Sequence, residues 1–136
     1  MPKRRRGSRI APRRPAGVHA PFERLVARAV AGIPEPFRDA LREVAIVIAD
    51  DLTPDQRREN ELGPDDDLYG LYEGVPRTEY GADWTAVPNR ITLFRLPLEA
   101  DFADPDDLAD EVRITVIHEL AHHLGIDDDR LEELGV

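Results

Sequence analysis

Residues 118–128 read His118-Glu119-Leu120-Ala121-His122-His123-Leu124-Gly125-Ile126-Asp127-Asp128. His118 and His122 are four positions apart, so on a helix both imidazoles lie on one face, about 6 Å apart along the axis. Two neutral ring nitrogens at that separation reach a single Zn²⁺. Glu119, the next residue round, is placed to face a water on the metal rather than the metal itself. Two ligands and a general base are the division of labour that metal-assisted hydrolysis needs. Gly125 takes a left-handed conformation without the steric cost of a Cβ, which ends the helix and turns the chain back. Asp128 then falls where a third ligand leaves the fourth position open, as a catalytic site requires. Asp127 and Asp129 flank it as rival ligands, and any of the three aspartates also suits a helix cap. A structural zinc site is usually closed by four ligands, commonly with cysteine, and this chain has no cysteine. His123 lies about 100° round from His122 and reads as a packing neighbour of the site rather than a ligand.

Working outward, Asp104-Pro105-Asp106-Asp107 is a helix start: an Asp N-cap, proline at the first position and acids in the first turn. The spacing predicts a helix over 105–124, with Leu108, Val112, Thr115, Val116 and Leu120 as a sheet-facing stripe. A short helix over 129–134 follows the aspartates. Upstream, Pro21, Phe22, Leu25, Val26, Ala29 and Val30 predict a helix ended near Gly32 and Pro34, and Pro36 opens a short helical piece with Phe37, Ala40 and Leu41. Residues 44–49 are apolar, mostly β-branched and short; they read as a buried strand stopped by Asp50-Asp51. Residues 52–67 read as a loop with at most one helical turn, and Asp65-Asp66-Asp67 as a solvated turn without the ligand spacing of a calcium loop. The remaining strands are 68–75 and 90–96, separated by an irregular excursion. The second is placed near a sheet edge because Pro97 follows it. Strands without long helices between them favour an antiparallel or mixed sheet. The class is therefore α+β: a small antiparallel or mixed sheet of about three strands packed on a long motif-bearing helix, with flanking helices.

The motif resembles that of the zincin metallopeptidases, in the H-E-x-x-H-x-x-G-x-x-D form that snapalysin-like proteases carry. The chain is more closely similar to the small bacterial minimal zincin-like metallopeptidases. Besides the motif, the resemblance rests on Leu68-Tyr69-Gly70-Leu71-Tyr72-Glu73-Gly74-Val75-Pro76, Arg90-Ile91-Thr92-Leu93-Phe94-Arg95, Thr115-Val116-Ile117 and Arg130-Leu131-Glu132-Glu133-Leu134-Gly135, and it covers residues 21–136. It implies a zincin-like fold, one Zn²⁺ and hydrolysis of peptide bonds. His118, His122 and Asp128 would be the metal ligands. Glu119 would be the general base that takes a proton from the attacking water and returns it to the leaving amine. The oxyanion needs a second electrophile; among Tyr69, Tyr72, Tyr80, Arg77 and Arg95, Tyr72 comes first because it lies in a family-like segment. Substrate would add as an extended strand along a sheet edge, taken to be 90–96. One departure from the metzincins is clear: Met1 is the only methionine, so no Met-turn lies beneath the metal.

At 136 residues the chain reads as one domain behind a basic tail. Residues 1–20 hold Lys3, Arg4, Arg5, Arg6, Arg9, Arg13 and Arg14 and no acid, so the tail carries +7 and the remainder −17, for a net −10. Rich in proline and glycine, the tail buries too little apolar surface to offset ordering and is expected to be disordered. Residues 21–136 form the zincin-like domain. The tail reads as a solvated extension, with weak contact to nucleic acid or an acidic partner as its functional alternative. The acidic body repels phosphates and argues against a nucleic-acid-binding core. Lack of cysteine fits a reducing compartment. No apolar run approaches the roughly 20 residues that span a bilayer, and no apolar h-region follows the basic start. A cytoplasmic protein without membrane contact is expected. Its expected partners are a peptide or protein substrate and a protein that completes the cleft, since little chain remains after the motif to wall one. The rival function is a metal-binding interaction module with little or no hydrolysis.

Overall fold

Helical spacing of apolar residues buries one side of the first helix, α1 (Ala20–Ala31), through Phe22, Val26 and Ala29. The structure, a computed structural model, describes residues 5–6, 20–74 and 89–135. The excursion expected after residue 75 and most of the basic tail lie outside the described residues. Within the tail, β1 (Arg5–Arg6) is a two-residue strand. After α1, Ile33 and Phe37 continue the buried set into α2 (Phe37–Ala40) and a 3₁₀ turn, Leu41–Glu43.

Three strands make the main sheet. β2 (Val44–Ala49) runs parallel to β5 (Asn89–Phe94), pairing from Val44↔Asn89 to Ala49↔Phe94. β4 (Gly70–Glu73) runs antiparallel to β5, from Gly70↔Leu93 to Glu73↔Arg90. The order β2-β5-β4 puts β5 in the centre, which corrects its expected place at an edge. Pro97 does not flank a strand, because the strand stops at Phe94 and Pro97 lies in the first turn of α4 (Arg95–Asp101). There a missing N–H costs nothing, since first-turn amides have no helical acceptor. β2 is one of the two edge strands and is only partly buried: Val44, Ile46 and Ile48 pack on the core while Val47 is 39% exposed. A second ladder pairs β1 antiparallel with β3 (Asp67–Leu68).

Between β2 and β3 the chain forms α3 (Pro54–Glu59), opened by a reciprocal cap. Thr53 Oγ1 accepts from Gln56 N at 3.0 Å, and Gln56 Oε1 accepts from Thr53 N at 2.9 Å. From this helix Arg57 reaches back to Asp51 and Asp67 at 3.7 and 3.5 Å and donates to the carbonyls of Gly63 and Asp66. Asp67 is therefore buried and ion-paired, not part of a solvated turn.

The longest helix is α5 (Pro105–His123), and α6 (Asp128–Glu133) follows it. Asp104 caps α5 by accepting from Asp106 N at 2.7 Å, with Pro105 at the first position. Leu108, Val112, Val116, Ile117, Leu120 and Ala121 bury one face of α5 in the core shared with α1, β5 and Leu131 of α6. Each large apolar side chain buried this way contributes roughly 1.5–3 kcal/mol, so the motif helix is held by its packing. On the other face of the sheet Leu68, Leu71 and Phe94 pack with Leu52 and Leu62 in a smaller cluster. The opposed directions of Leu93 and Phe94 are the period-two alternation of a strand with both faces covered. The α+β class, the small mixed sheet and the long motif-bearing helix agree with the sequence reading. No described helix is long and apolar enough to cross a membrane.

Candidate metal centre

The site is built by the way α5 ends. Gly125 takes φ +76°, while Gly125 N donates to His122 O at 3.1 Å and Ile126 N to Ala121 O at 2.8 Å. These paired bonds are a Schellman stop, which reverses the chain and satisfies carbonyls that a helix end leaves over. The reversal brings the aspartates back against the helix. Asp127 spends its carboxylate on the N-cap of α6, accepting from Arg130 N at 2.9 Å. Asp128, one residue on, stands with Oδ1 3.9 Å from His118 Nδ1. Asp128 thus stands beside the motif histidine His118, while Asp127 caps α6. At 3.9 Å, with side chains 21% and 55% exposed, such a contact contributes no more than about 1 kcal/mol. Stability does not explain it.

His122 and Asp128 share an open cleft of about 280 Å³ whose other lining residues are Gly125, Ile126 and Asp127. His118, His122 and Asp128 therefore occupy one corner of the molecule. Among the described residues no three histidine, aspartate or glutamate side chains gather into an ion cage: His118 meets Asp128, and His122 faces the same cleft. The chemistry of the set fits zinc, with two imidazoles and one carboxylate for three positions and solvent access for a fourth.

Glu119 differs from the three in burial, at 3% exposed. Its Oε1 accepts from the backbone N of Tyr72 at 3.0 Å, so the carboxylate is oriented by the sheet. Two features carry β4 to that distance. Gly70 lets strand and helix approach closely, since a Cβ there would stand 2.6 Å from Thr115 Cγ2. Thr115 is itself tied down, donating its hydroxyl to buried Glu111 at 3.1 Å.

Tyr72 meets the motif helix a second time. Its ring stacks on that of His123, with centroids 4.4 Å apart and planes 21° from parallel. Its hydroxyl is buried and has no hydrogen-bond partner among the described residues, and burial raises its pKa above the ordinary 10.0. The other electrophile candidates go elsewhere. Tyr69 donates to Asp101 at 2.5 Å, Arg95 is engaged by Asp50 and Glu99, and Arg77 and Tyr80 lie outside the described residues. The sequence reading named Tyr72 but missed both of its contacts with α5. The only local signal was Gly70 two residues before it, a small residue inside a strand, which marks close approach.

A family model described as a zincin-like metallopeptidase matches residues 41–136. The match begins at the 3₁₀ turn and takes in the whole main sheet, α3 to α6 and the motif. No curated protein matches the chain.

Proposed function

The chain belongs to the zincin-like metallopeptidase family, and from that premise we propose that it hydrolyses peptide bonds with a single zinc ion held by His118, His122 and Asp128. The observation that carries this reading is the reversal at Gly125, which returns Asp128 to His118 while His122 faces the same cleft. Zinc held there supplies positive charge that polarises a peptide carbonyl and acidifies the attacking water. Glu119 takes the proton from that water and delivers it to the leaving amine. Its bond to Tyr72 N keeps the carboxylate in one orientation, and its burial keeps competing water away. Tyr72 supplies a hydrogen bond to the developing oxyanion: its phenol is protonated at neutral pH, as any tyrosine is, and its hydroxyl has no partner among the described residues to compete for it. The sheet edge on the Glu119 side is β4, not the central strand β5, so an extended substrate adds along β4.

Among the described residues the cleft lining comes from residues 122–128, which favours a second reading: a zinc-binding module whose cleft a partner protein completes. Measuring zinc content, and cleavage of a peptide library by the parent protein and Glu119→Ala, tests both. A peptidase keeps its zinc in Glu119→Ala and loses cleavage. A module binds zinc and cleaves nothing in either form. Absence of zinc from the parent protein, with no loss of stability in His118→Ala, would overturn both readings.

A further inference from the structure

We infer that His123 is a positioning residue, whose ring holds the Tyr72 phenol in the pose from which its hydroxyl serves the substrate. The inference rests on the reading of Tyr72 as the donor to the oxyanion and adds the group that aims it. Glu119 and His123 are four residues apart on α5 and so lie on one helix face. Both close on the same residue of β4: Glu119 takes the backbone amide of Tyr72, and His123 covers its ring. The two contacts fix the residue at both ends.

The far end of Tyr72 needs such a hold. A buried hydroxyl is ordinarily aimed by the hydrogen bond it makes, and the Tyr72 hydroxyl has none among the described residues. Packing sets the ring's direction instead: Tyr72 lies against the main core cluster and stacks on His123. The near-parallel geometry, 4.4 Å between centroids and 21° between planes, leaves the ring little room to turn. His123 is exposed, so its place in the last turn of α5 is not explained by core packing. It directly follows His122, so the turn that presents a proposed ligand also aims the proposed donor.

The test compares His123→Ala, His123→Phe, Tyr72→Phe and the Tyr72→Phe/His123→Ala double variant. Because His123 is exposed, replacing it opens no core. In zinc-loaded protein, His123→Ala is expected to lower kcat about tenfold with KM and zinc content little changed, as for a misaimed oxyanion donor. His123→Phe keeps a flat ring and restores most of the loss. The double variant is no slower than Tyr72→Phe alone, because the histidine acts only through the phenol. In metal-free protein, ultraviolet titration of tyrosinate reads the stack without any activity. The late-titrating phenol moves back toward 10.0 in His123→Ala and stays late in His123→Phe. Full activity in His123→Ala, no rescue by phenylalanine, or additive losses in the double variant would each overturn the inference. If the parent protein cleaves nothing, the peptidase reading fails first. The titration still decides the stack, and a phenol unmoved by His123→Ala sinks the inference by itself.

Discussion

Arg95 and Glu119 are buried to almost the same depth, 2% and 3% exposed, and the fold treats them in opposite ways. Arg95, at the head of α4, is enclosed by its partners. Its Nε and Nη2 donate to Asp50 at 3.1 and 2.8 Å, and its Nη1 to Glu99 at 2.8 Å. That network joins the end of β2 to the turn from β5 into α4. Glu119 takes a backbone amide from β4, sits on the same helix as two imidazoles, and lies next to a phenol whose hydroxyl meets no partner among the described residues. A closed polar network fixes chain geometry. A buried carboxylate on the ligand-bearing helix, next to a phenol hydroxyl with no partner among the described residues, is arranged for something that arrives later. Charge burial alone does not mark a functional site; what distinguishes the two centres is the company the buried charge keeps, an ion-pair network for Arg95 and, for Glu119, a phenol hydroxyl with no partner among the described residues.

Substitution at the two centres should therefore have opposite readouts. Glu119→Gln keeps shape and still accepts from Tyr72 N, but gives up the base. Cleavage should fall about 10³-fold, within the range for loss of a general base, while the urea midpoint stays close to that of the parent protein. A protein that lost stability and kept its rate would remove the distinction. Arg95→Met fills the space and removes the charge that pairs with Asp50 and Glu99. Breaking a buried pair costs about 3 kcal/mol at the lower end of the known range, and the lower end applies because Asp50 is 48% exposed. Equilibrium unfolding should show that loss, with kcat of the folded fraction unchanged. A fall in kcat would mean that the Arg95 network also tunes the site.

Gly70 sharpens the comparison, since it governs how close the sheet comes to Glu119. Gly70→Ala forces a Cβ to 2.6 Å from Thr115 Cγ2, and overpacking of this kind costs about 2 kcal/mol. Removing the opposing methyl as well, in Gly70→Ala/Thr115→Ser, should recover much of that. Failure of the second change to recover stability would show that the contact is not what requires glycine.

How far these centres could be read from sequence follows from how local their causes are. The motif helix was legible because its signals lie within a few residues: the Asp104 cap, Pro105 at the first turn and Gly125 at the stop. The ligand pair is a spacing on one helix, and Asp128 follows from one turn. α3 carried an equally local signal in Thr53 and Gln56, but the proline and aspartates around it drew the reading toward loop. The failures are non-local. Nothing near residue 94 announces α4, since Phe94 makes no side-chain cap, and a strand's central or edge place depends on partners elsewhere in the chain. Asp67 looked solvated until Arg57, ten residues earlier, proved to bring a guanidinium to it. The contacts of Tyr72 with Glu119 and His123 join a strand to a helix far along the chain. Neither residue carries a pattern that names the other.

The smallest expected effect is the one that best separates a finished polar centre from an unfinished one. Tyr72→Phe deletes a buried hydroxyl with no partner among the described residues. Removing an unsatisfied buried polar group relieves its desolvation cost, so Tyr72→Phe should unfold at an equal or slightly higher urea concentration than the parent protein at neutral pH. Removing one member of a satisfied network, as in Arg95→Met, does the reverse. The pH dependence has a definite sign. Below pH 10.0 the phenol keeps its proton in both the folded and the unfolded chain and contributes nothing to the slope. Above 10.0 the unfolded chain releases that proton while the folded chain, whose phenol is raised by burial, retains it. Stability then falls as pH rises through the raised pKa. Tyr72→Phe lacks this loss, so its stability advantage should widen in alkaline urea titrations. Parallel slopes for the two proteins above pH 10.0 would show that the phenol is solvated, and the contrast with Arg95 would then rest on Glu119 alone.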